Sequence, residues 1–179
     1  MTAKQTAVSE LIMKGHNVII TGQAGTGKTY LAIQVASNLK KKGKNVSVVC
    51  STGKAASLYP SSLEATTLHR WAGIQDGRHS QERLIELITT DEAYSSVKQR
   101  ITNVDVLVID EVSMISKKIV DILNTLCQSI RGFASHPFGG IQIVLVGDFY
   151  QLGPVPNLMY NDEGDYSLMG KKSNIYKKW

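Results

Sequence analysis

The chain has 179 residues, the length of one domain with a sizeable core, and 42% of its residues are hydrophobic. Its formal net charge of +5 is too small to indicate nucleic-acid binding without other evidence. No apolar stretch approaches the length of a membrane span, and residues 1–14 lack the pattern of a secretory signal. Cys50 and Cys127 have no zinc spacing and form no disulfide framework, which favours packed thiols in a reducing compartment.

Helical patterns alternate with short apolar runs along the chain. The first helix, at 3–14, is predicted to be amphipathic, with Ala7, Val8, Leu11 and Ile12 on one side. We predict buried strands at 17–21 and 104–109 and further strands at 46–50 and 141–146. Further helices are predicted at 30–42, within 81–101 and at 117–131. After Pro156 the pattern fades into a surface loop at 161–165. Strands that are apolar throughout and separated by helices indicate an α/β fold, a doubly wound parallel sheet, over a single domain at 1–179.

A glycine-rich segment lies between the first predicted strand and the helix at 30–42. It fits the phosphate-loop pattern G-x-x-x-x-G-K-[ST] with Gly22, Gln23, Ala24, Gly25, Thr26, Gly27, Lys28 and Thr29. The glycines allow the backbone N–H groups to surround a triphosphate, and the helix N-terminus adds partial positive charge. Lys28 would reach the β and γ phosphates of ATP, and the Thr29 hydroxyl would bind Mg²⁺. The alternative is a Gly/Thr turn with a chance lysine.

Two acidic residues, Asp110 and Glu111, follow the apolar run at 106–109. Charge at the edge of a core is costly, so paired carboxylates there suggest a nearby cation. Beside a phosphate loop, Asp110 would hold Mg²⁺ through water, and Glu111 would activate the attacking water as a base. The alternative is that the two acids cap the helix that follows Ser116.

Another apolar strand ends in the polar segment Gly147-Asp148-Phe149-Tyr150-Gln151-Leu152. The carboxyl ends of strands are the edge where open α/β sheets bind ligands. Gln151 could donate to a γ-phosphate and accept from water, so its contacts would change on hydrolysis. The alternative is an ordinary Gly-Asp turn.

Two further segments suggest contacts with a nucleic acid. Ser51-Thr52-Gly53-Lys54-Ala55-Ala56 follows a strand, and its hydroxyls and glycine would suit a backbone phosphate. His69, Arg70 and Trp71 supply a donor, a cation and a stacking face of the kind used for single strands. The alternative is that the histidine and tryptophan pack in the core.

Taken in order, these motifs resemble the first motor domain of superfamily one DNA helicases, above all the petite-integration-frequency (Pif) helicases. GQAGTGKT resembles the Walker A motif, and DVLVIDEVSM resembles the Walker B motif. STGKAA and TLHRWAG resemble the family's DNA-contacting motif Ia and the block after it, and FGGIQIVLVGDFYQLGPVP resembles motif III. Gln5 stands where the family has its adenine-reading glutamine. Gly153 departs from the pattern, which usually has proline there.

The resemblance implies a RecA-like domain that binds ATP, Mg²⁺ and single-stranded DNA and drives five-prime to three-prime unwinding. It implies an ATP-hydrolysing enzyme of DNA repair, recombination and genome maintenance, including telomeres. Lys28, Glu111 and Gln151 would be catalytic, Thr29 and Asp110 would hold the metal, and Thr52, Gly53 and His69 would contact DNA. The implied location is intracellular, the nucleus rather than the mitochondrion.

The family draws its arginine finger from a second motor domain, and no second set of motifs is present in these 179 residues. We therefore expect a fragment of a longer helicase or a truncated gene product, with a second motor domain as partner in a full-length chain. The alternative is a truncated, non-catalytic module that binds nucleotide or DNA.

Overall fold

A computed structural model describes residues 2–74 and 79–150, together with the backbone of 157–160 and 166–169. The helices are α1 Ala3–Met13, α2 Lys28–Lys41, α3 Gly53–Ala56, α4 Leu68–Ala72, α5 Gln81–Thr90, α6 Ser95–Asn103 and α7 Lys117–Arg131. The strands are β1 Val18–Thr21, β2 Val46–Cys50, β3 Thr66–Thr67, β4 Val106–Asp110, β5 Gln142–Gly147, β6 Asn157–Tyr160 and β7 Tyr166–Met169. Short 3-10 turns lie at Ser61–Leu63, Glu92–Tyr94, Val112–Met114 and Pro137–Gly140. No helix in these described ranges is both long and apolar enough to cross a bilayer.

Five strands form one sheet in the order β1-β5-β4-β2-β3, and every pairing in it is parallel. The last strand of this sheet in chain order, β5, therefore lies between β1 and β4. The register places Thr21 beside Gly147 and Cys50 beside Asp110. The carboxyl ends of the strands therefore meet at one edge. β6 and β7 pair with each other as a separate antiparallel hairpin.

The core lies on both faces of this sheet, because neighbouring residues of a strand point to opposite sides. In β4, Val106 and Val108 pack with residues of α1 and α2, whereas Leu107 and Ile109 pack with residues of α4 to α7. All five residues of β4 are buried, as expected for a central parallel strand. The predicted doubly wound α/β fold is confirmed.

The predicted strands and helices are confirmed to within a few residues, and α7 has the predicted bounds. The amphipathic side predicted for the first helix was wrong in part, because only Ile12 of α1 is buried and Leu11 is 45% exposed. β1 was expected to be buried, but Ile19 is 40% exposed. Among the described residues β1 pairs only with β5, which leaves its other side open. The strands β6 and β7 were not predicted, and the loop expected at 161–165 lies outside the described residues.

The turn that leads into β5 is held by an unusually close approach of the backbone. A Cβ atom on Gly139, whose φ is +61°, would lie 2.6 Å from the carbonyl oxygen of Cys127. The side chain of Arg131 donates to the Gly139 carbonyl at 2.8 Å. The same guanidinium donates at 2.8–3.0 Å to the carbonyls of Ile101, Thr102 and Val104. The close contact with Cys127 therefore explains why residue 139 of the Phe-Gly-Gly sequence is a glycine.

We expect Gly139→Ala to lower the free energy of unfolding by about 2–4 kcal/mol, since a strained left-handed residue is added to a steric clash. Gly140→Ala is the matched control. Its φ is +79°, but nothing lies within 4 Å of an added Cβ, so only the strain remains. Urea denaturation of both variants measures the difference, and equal losses would show that the contact with Cys127 does not matter.

Candidate nucleotide and nucleic-acid site

Most of the segments that the sequence analysis proposed as functional lie at one edge of the sheet. The phosphate loop follows β1, residues 51–56 follow β2, and His69 follows β3. Asp110 and Glu111 lie at the end of β4, and Asp148 lies just past the end of β5. Gln151 lies outside the described residues, so its predicted role stays a prediction.

The phosphate loop has a backbone that glycine permits. Gly25 and Gly27 have φ values of +78° and +81°, and Gly27 begins α2 without a capping side chain among the described residues. The first N–H groups of α2 are therefore available to an anion. The ammonium of Lys28 donates to the carbonyls of Gly22 at 2.7 Å and Gln23 at 2.8 Å. The loop has the shape and the donors that a triphosphate requires.

Gln5 lies against this loop although it precedes it by about 20 residues. Its Nε2 makes a long 3.5 Å contact with the carbonyl oxygen of Thr26. The same atom would lie 3.2 Å from a Cβ placed on Gly27. Its Oε1 accepts a hydrogen bond of 2.9 Å from the N–H of Thr2, which begins α1. Gln5 therefore connects the start of α1 to the rim of the phosphate loop.

The carboxylate of Asp110 is 3% exposed and accepts three hydrogen bonds. Its Oδ1 accepts from the N–H of Glu111 at 2.8 Å. Its Oδ2 accepts from the hydroxyls of Thr29 at 3.2 Å and Tyr59 at 2.7 Å. Tyr59, which is 51 residues away in the chain, was missed by the sequence analysis, and no local motif could have indicated it. Burial, followed by the charge of Asp110, raises the pKa of the Tyr59 hydroxyl far above its ordinary value, so it remains a donor.

The contact of Thr29 with Asp110 brings two hard oxygen ligands to the end of the phosphate loop. Such oxygens suit Mg²⁺, which binds few protein ligands and completes its shell with phosphates and water. Within the described ranges no group of three or more His, Cys, Asp or Glu residues forms a metal site of its own. The residues thus fit a metal that arrives with a nucleotide.

Glu111 occupies a strained backbone position, with φ +55° and ψ +40° in the left-handed region. Non-glycine residues in this region are often found at functional sites. Burial, then the charges of Asp110 and Asp148, raise the pKa of the Glu111 carboxyl, and the opposing effect of Lys28 does not cancel them. The alternative that Glu111 caps α7 is excluded, since Ser116 caps that helix through the N–H of Ile119.

The end of β5 packs directly on the turn that follows Glu111. A Cβ on Gly147 would lie 2.9 Å from a methyl carbon of Val112. Asp148 is 4% exposed and accepts a hydrogen bond of 3.0 Å from the N–H of Tyr150. The segment Gly147-Asp148 therefore lies between the phosphate loop and the turn after Glu111. A movement of the loop or of the turn could be transmitted to the other through this segment.

The segment after β2 borders an open cavity of about 240 Å³ beside Glu111, lined by Thr52, Lys54, Ala55, Leu58, Glu111, Ser113 and Met114. The hydroxyl oxygen of Thr52 accepts the N–H of Ala55 at 3.1 Å and so caps α3. No acceptor among the described residues takes its hydroxyl proton, which could be donated to a ligand, and Gly53 is exposed beside it.

His69 and Arg70 lie on the short helix α4 with partly or fully accessible side chains. Trp71 is 2% exposed and belongs to the core cluster on that face of the sheet. Of the two interpretations left open for Trp71, packing in the core is confirmed and the stacking face is wrong, because core residues cover its ring. Packing decides the role of Trp71, whereas His69 stays a candidate for contact with DNA.

A parallel sheet with a phosphate loop after β1 and an acidic pair after β4 defines the class of P-loop NTPases. A family model of PIF1-like helicases matches residues 1–176, and the chain belongs to that family. The chain is 39% identical over 155 residues to the ATP-dependent DNA helicase PIF1 of Xenopus laevis, covering 87% of this chain and 23% of that protein. It is 35% identical to PIF1 of Emericella nidulans, covering 96% and 22%. The chain thus spans about a quarter or less of these relatives.

Solved structures show the same relationship. The crystal structure of Pif1 helicase from Candida albicans superposes with a TM-score of 0.77 at 36% identity, covering 87% of this chain and 34% of that one. Bacteroides Pif1 bound to single-stranded DNA gives a TM-score of 0.63 at 30% identity, with the same coverage. Another Bacteroides Pif1 structure, in complex with ADP-AlF3 and single-stranded DNA, gives 0.64 at 30% identity, again covering 87% and 34%.

The raised pKa of Glu111 has a consequence for stability. The folded state holds this proton more tightly than the unfolded chain does, so ionisation above the ordinary pKa of 4.5 destabilises the fold. Without nucleotide or metal, we expect Glu111→Gln to raise the midpoint of thermal unfolding at pH 7. The gain should shrink as the pH falls through the raised pKa and vanish below about 4.5, where Glu111 is protonated in both states.

Glu64→Gln is the matched control, because Glu64 has a similar backbone conformation, with φ +49°, and an exposed side chain. Its substitution should leave the midpoint nearly unchanged. A midpoint that falls for Glu111→Gln at pH 7 would contradict the expected effect of the ionised carboxylate.

Proposed function

We propose that this chain is the first motor domain of an ATP-dependent DNA helicase, a single RecA-like domain at 1–179 that binds ATP-Mg²⁺ and single-stranded DNA. The observation that carries the proposal is the contact of 3.2 Å between Thr29 of the phosphate loop and the buried carboxylate of Asp110. It joins the two halves of a nucleotide site that lie 81 residues apart in the chain.

Each residue around the nucleotide has a proposed task. The backbone of residues 22–27 and the first turn of α2 would bind the phosphates, and Gln5 would lie nearest the adenine. Lys28 would exchange its two carbonyl partners for phosphate oxygens, which bind an ammonium more strongly because they are charged. Thr29 and Asp110 would hold Mg²⁺, which neutralises the charge on the phosphates. Use of ATP is supported by the names of the curated relatives, which are ATP-dependent DNA helicases.

Glu111 is proposed as the general base, and Gln151 as the group that senses the γ-phosphate. A base works best when its pKa lies near the working pH, and the raised pKa of Glu111 moves it in that direction. The closeness of Gly147 to Val112 offers a route from the turn after Glu111 to the segment that contains Gln151.

Single-stranded DNA is proposed to run over the same edge of the sheet, touching Thr52, Gly53 and His69. The hydroxyl of Thr52, which has no acceptor among the described residues, and the exposed Gly53 would supply donors for backbone phosphates. The Bacteroides Pif1 structure bound to single-stranded DNA supports this class of ligand. The five-prime to three-prime direction and the part in repair, recombination and genome maintenance are proposed from the family.

A second motor domain is proposed as the partner that closes the nucleotide site. The relatives support it, because this chain covers 22–23% of the Xenopus and Emericella helicases. Cys50 and Cys127 are buried and unpaired, as expected in a reducing compartment. The nucleus in preference to the mitochondrion stays a prediction.

We expect Lys28→Ala to weaken the binding of ATP-Mg²⁺ by roughly tenfold or more, since a charge-assisted contact contributes about 1.5–3 kcal/mol. Isothermal titration calorimetry measures the dissociation constants. Lys42→Ala at the other end of α2 is the control and should bind as the unmodified chain does. Equal affinities for the unmodified chain and Lys28→Ala would show that the loop is not the phosphate site.

Replacing Thr52 and His69 with Ala together should weaken the binding of single-stranded DNA to a similar extent for different base sequences, because phosphate contacts carry no base information. Fluorescence anisotropy with several oligonucleotides provides the test, and the affinity should fall steeply with salt. Thr52→Ser keeps the hydroxyl and the helix cap and should retain the affinity. An unchanged affinity of the double variant for every oligonucleotide would return both residues to packing roles.

A further inference from the structure

The hydroxyl of Tyr59 makes the shortest of the three hydrogen bonds to Asp110. Its oxygen lies 2.7 Å from Oδ2, whereas the Thr29 hydroxyl lies 3.2 Å from the same atom. A buried carboxylate is stable only when donors replace the water it has lost. Tyr59 is therefore the strongest side-chain restraint on the oxygen that faces the phosphate loop.

Tyr59 is itself held in place from several sides. It is 7% exposed and belongs to the core cluster that includes Val48 and Leu63. Its N–H donates to the carbonyl of Ala56 at 3.2 Å. The segment after it is tied to α2 by a hydrogen bond of 3.0 Å from Lys40 to the carbonyl of Ser62. The ring cannot turn without disturbing the core, so the hydroxyl is a fixed donor.

We propose that Tyr59 is a positioning residue for the metal, one that fixes the Asp110 carboxylate in the orientation in which Oδ2 meets Thr29. The inference rests on the proposed function, because it assumes that Thr29 and Asp110 hold Mg²⁺ with the nucleotide. Without the phenol, Oδ2 would keep only the longer contact with Thr29. The N–H of Glu111 would still hold Oδ1, but Oδ2 would be less firmly fixed toward the loop.

The placement of Tyr59 also links two parts of the site. It lies three residues after the end of α3, the short helix capped by Thr52. A shift of α3 on binding DNA would move the anchor of Tyr59, and through its hydroxyl the carboxylate of Asp110. The metal site and the proposed DNA segment thus share one rigid side chain.

The test replaces Tyr59 with Phe, which keeps the ring and removes only the hydroxyl. The probe is Mn²⁺ in place of Mg²⁺, titrated into the chain with ADP and followed by electron paramagnetic resonance. Partners of this kind, behind the metal ligands, typically contribute 10- to 100-fold in metal affinity, so we expect Mn²⁺ to bind about tenfold more weakly to Tyr59→Phe. Tyr94→Phe, which alters a partly buried phenol in the turn Glu92–Tyr94 on the other face of the sheet, should bind Mn²⁺ as the unmodified chain does.

A second measurement separates positioning from packing. The affinity for ADP without metal should be the same in Tyr59→Phe and the unmodified chain, because the phosphate loop is untouched. If Tyr59→Phe loses ADP affinity equally with and without Mn²⁺, the residue only packs and the inference is overturned. An unchanged Mn²⁺ affinity in Tyr59→Phe overturns it as well.

The two proposals fail in different ways. If Lys28→Ala weakens ADP binding while Tyr59→Phe binds Mn²⁺ normally, only the role of Tyr59 is lost. If the unmodified chain shows no metal-dependent binding of ADP, the proposed metal site is lost and the role of Tyr59 with it.

Discussion

The parallel pairing of β1, β5 and β4 is the constraint on which the rest of the site depends. β5 is hydrogen-bonded on both sides, with Val144 level with Val18 of β1 and with Val108 of β4. This register sets the distance between the phosphate loop and the acidic pair, and it inserts the Gly-Asp segment between them. A slip of one residue would turn the alternating core residues of β5 to the wrong faces of the sheet. The core residues on the two faces of the sheet therefore fix the geometry of the site as well as the fold.

The acidic side chains of the site favour the binding of cations. Asp110 and Asp148 are buried, Glu111 is partly buried, and Lys28 is the cation that opposes the raised pKa of Glu111. The charges of Asp110 and Asp148 oppose the ionisation of Glu111, which costs stability, whereas three hydrogen bonds stabilise the carboxylate of Asp110. Such destabilisation is common where a site is shaped for a ligand that it binds later. The left-handed backbone conformation of Glu111 is a further cost to stability at this site.

Much of this arrangement is readable from the sequence, because it depends on local patterns. The strand, glycine loop and helix around residues 18–41 follow from composition and spacing, as does α7 with its row of apolar residues. The order of the strands was not predictable in this way, since it depends on which distant segments pair. Tyr59 and Trp71 show the same limit. Their roles are decided by what surrounds them in space, so the sequence left Trp71 open between a stacking face and the core and gave no sign of Tyr59.

The two carbonyl partners of Lys28 also shape how a nucleotide would arrive. The ammonium donates to the carbonyls of Gly22 and Gln23 and so ties the start of α2 to the start of the loop. These contacts restrict the loop before a nucleotide binds, which lowers the entropy lost on binding. The same two contacts compete with the incoming phosphates, so binding is an exchange of partners at one nitrogen atom. The same side chain thus shapes the loop for a nucleotide and must give up two hydrogen bonds when the nucleotide binds.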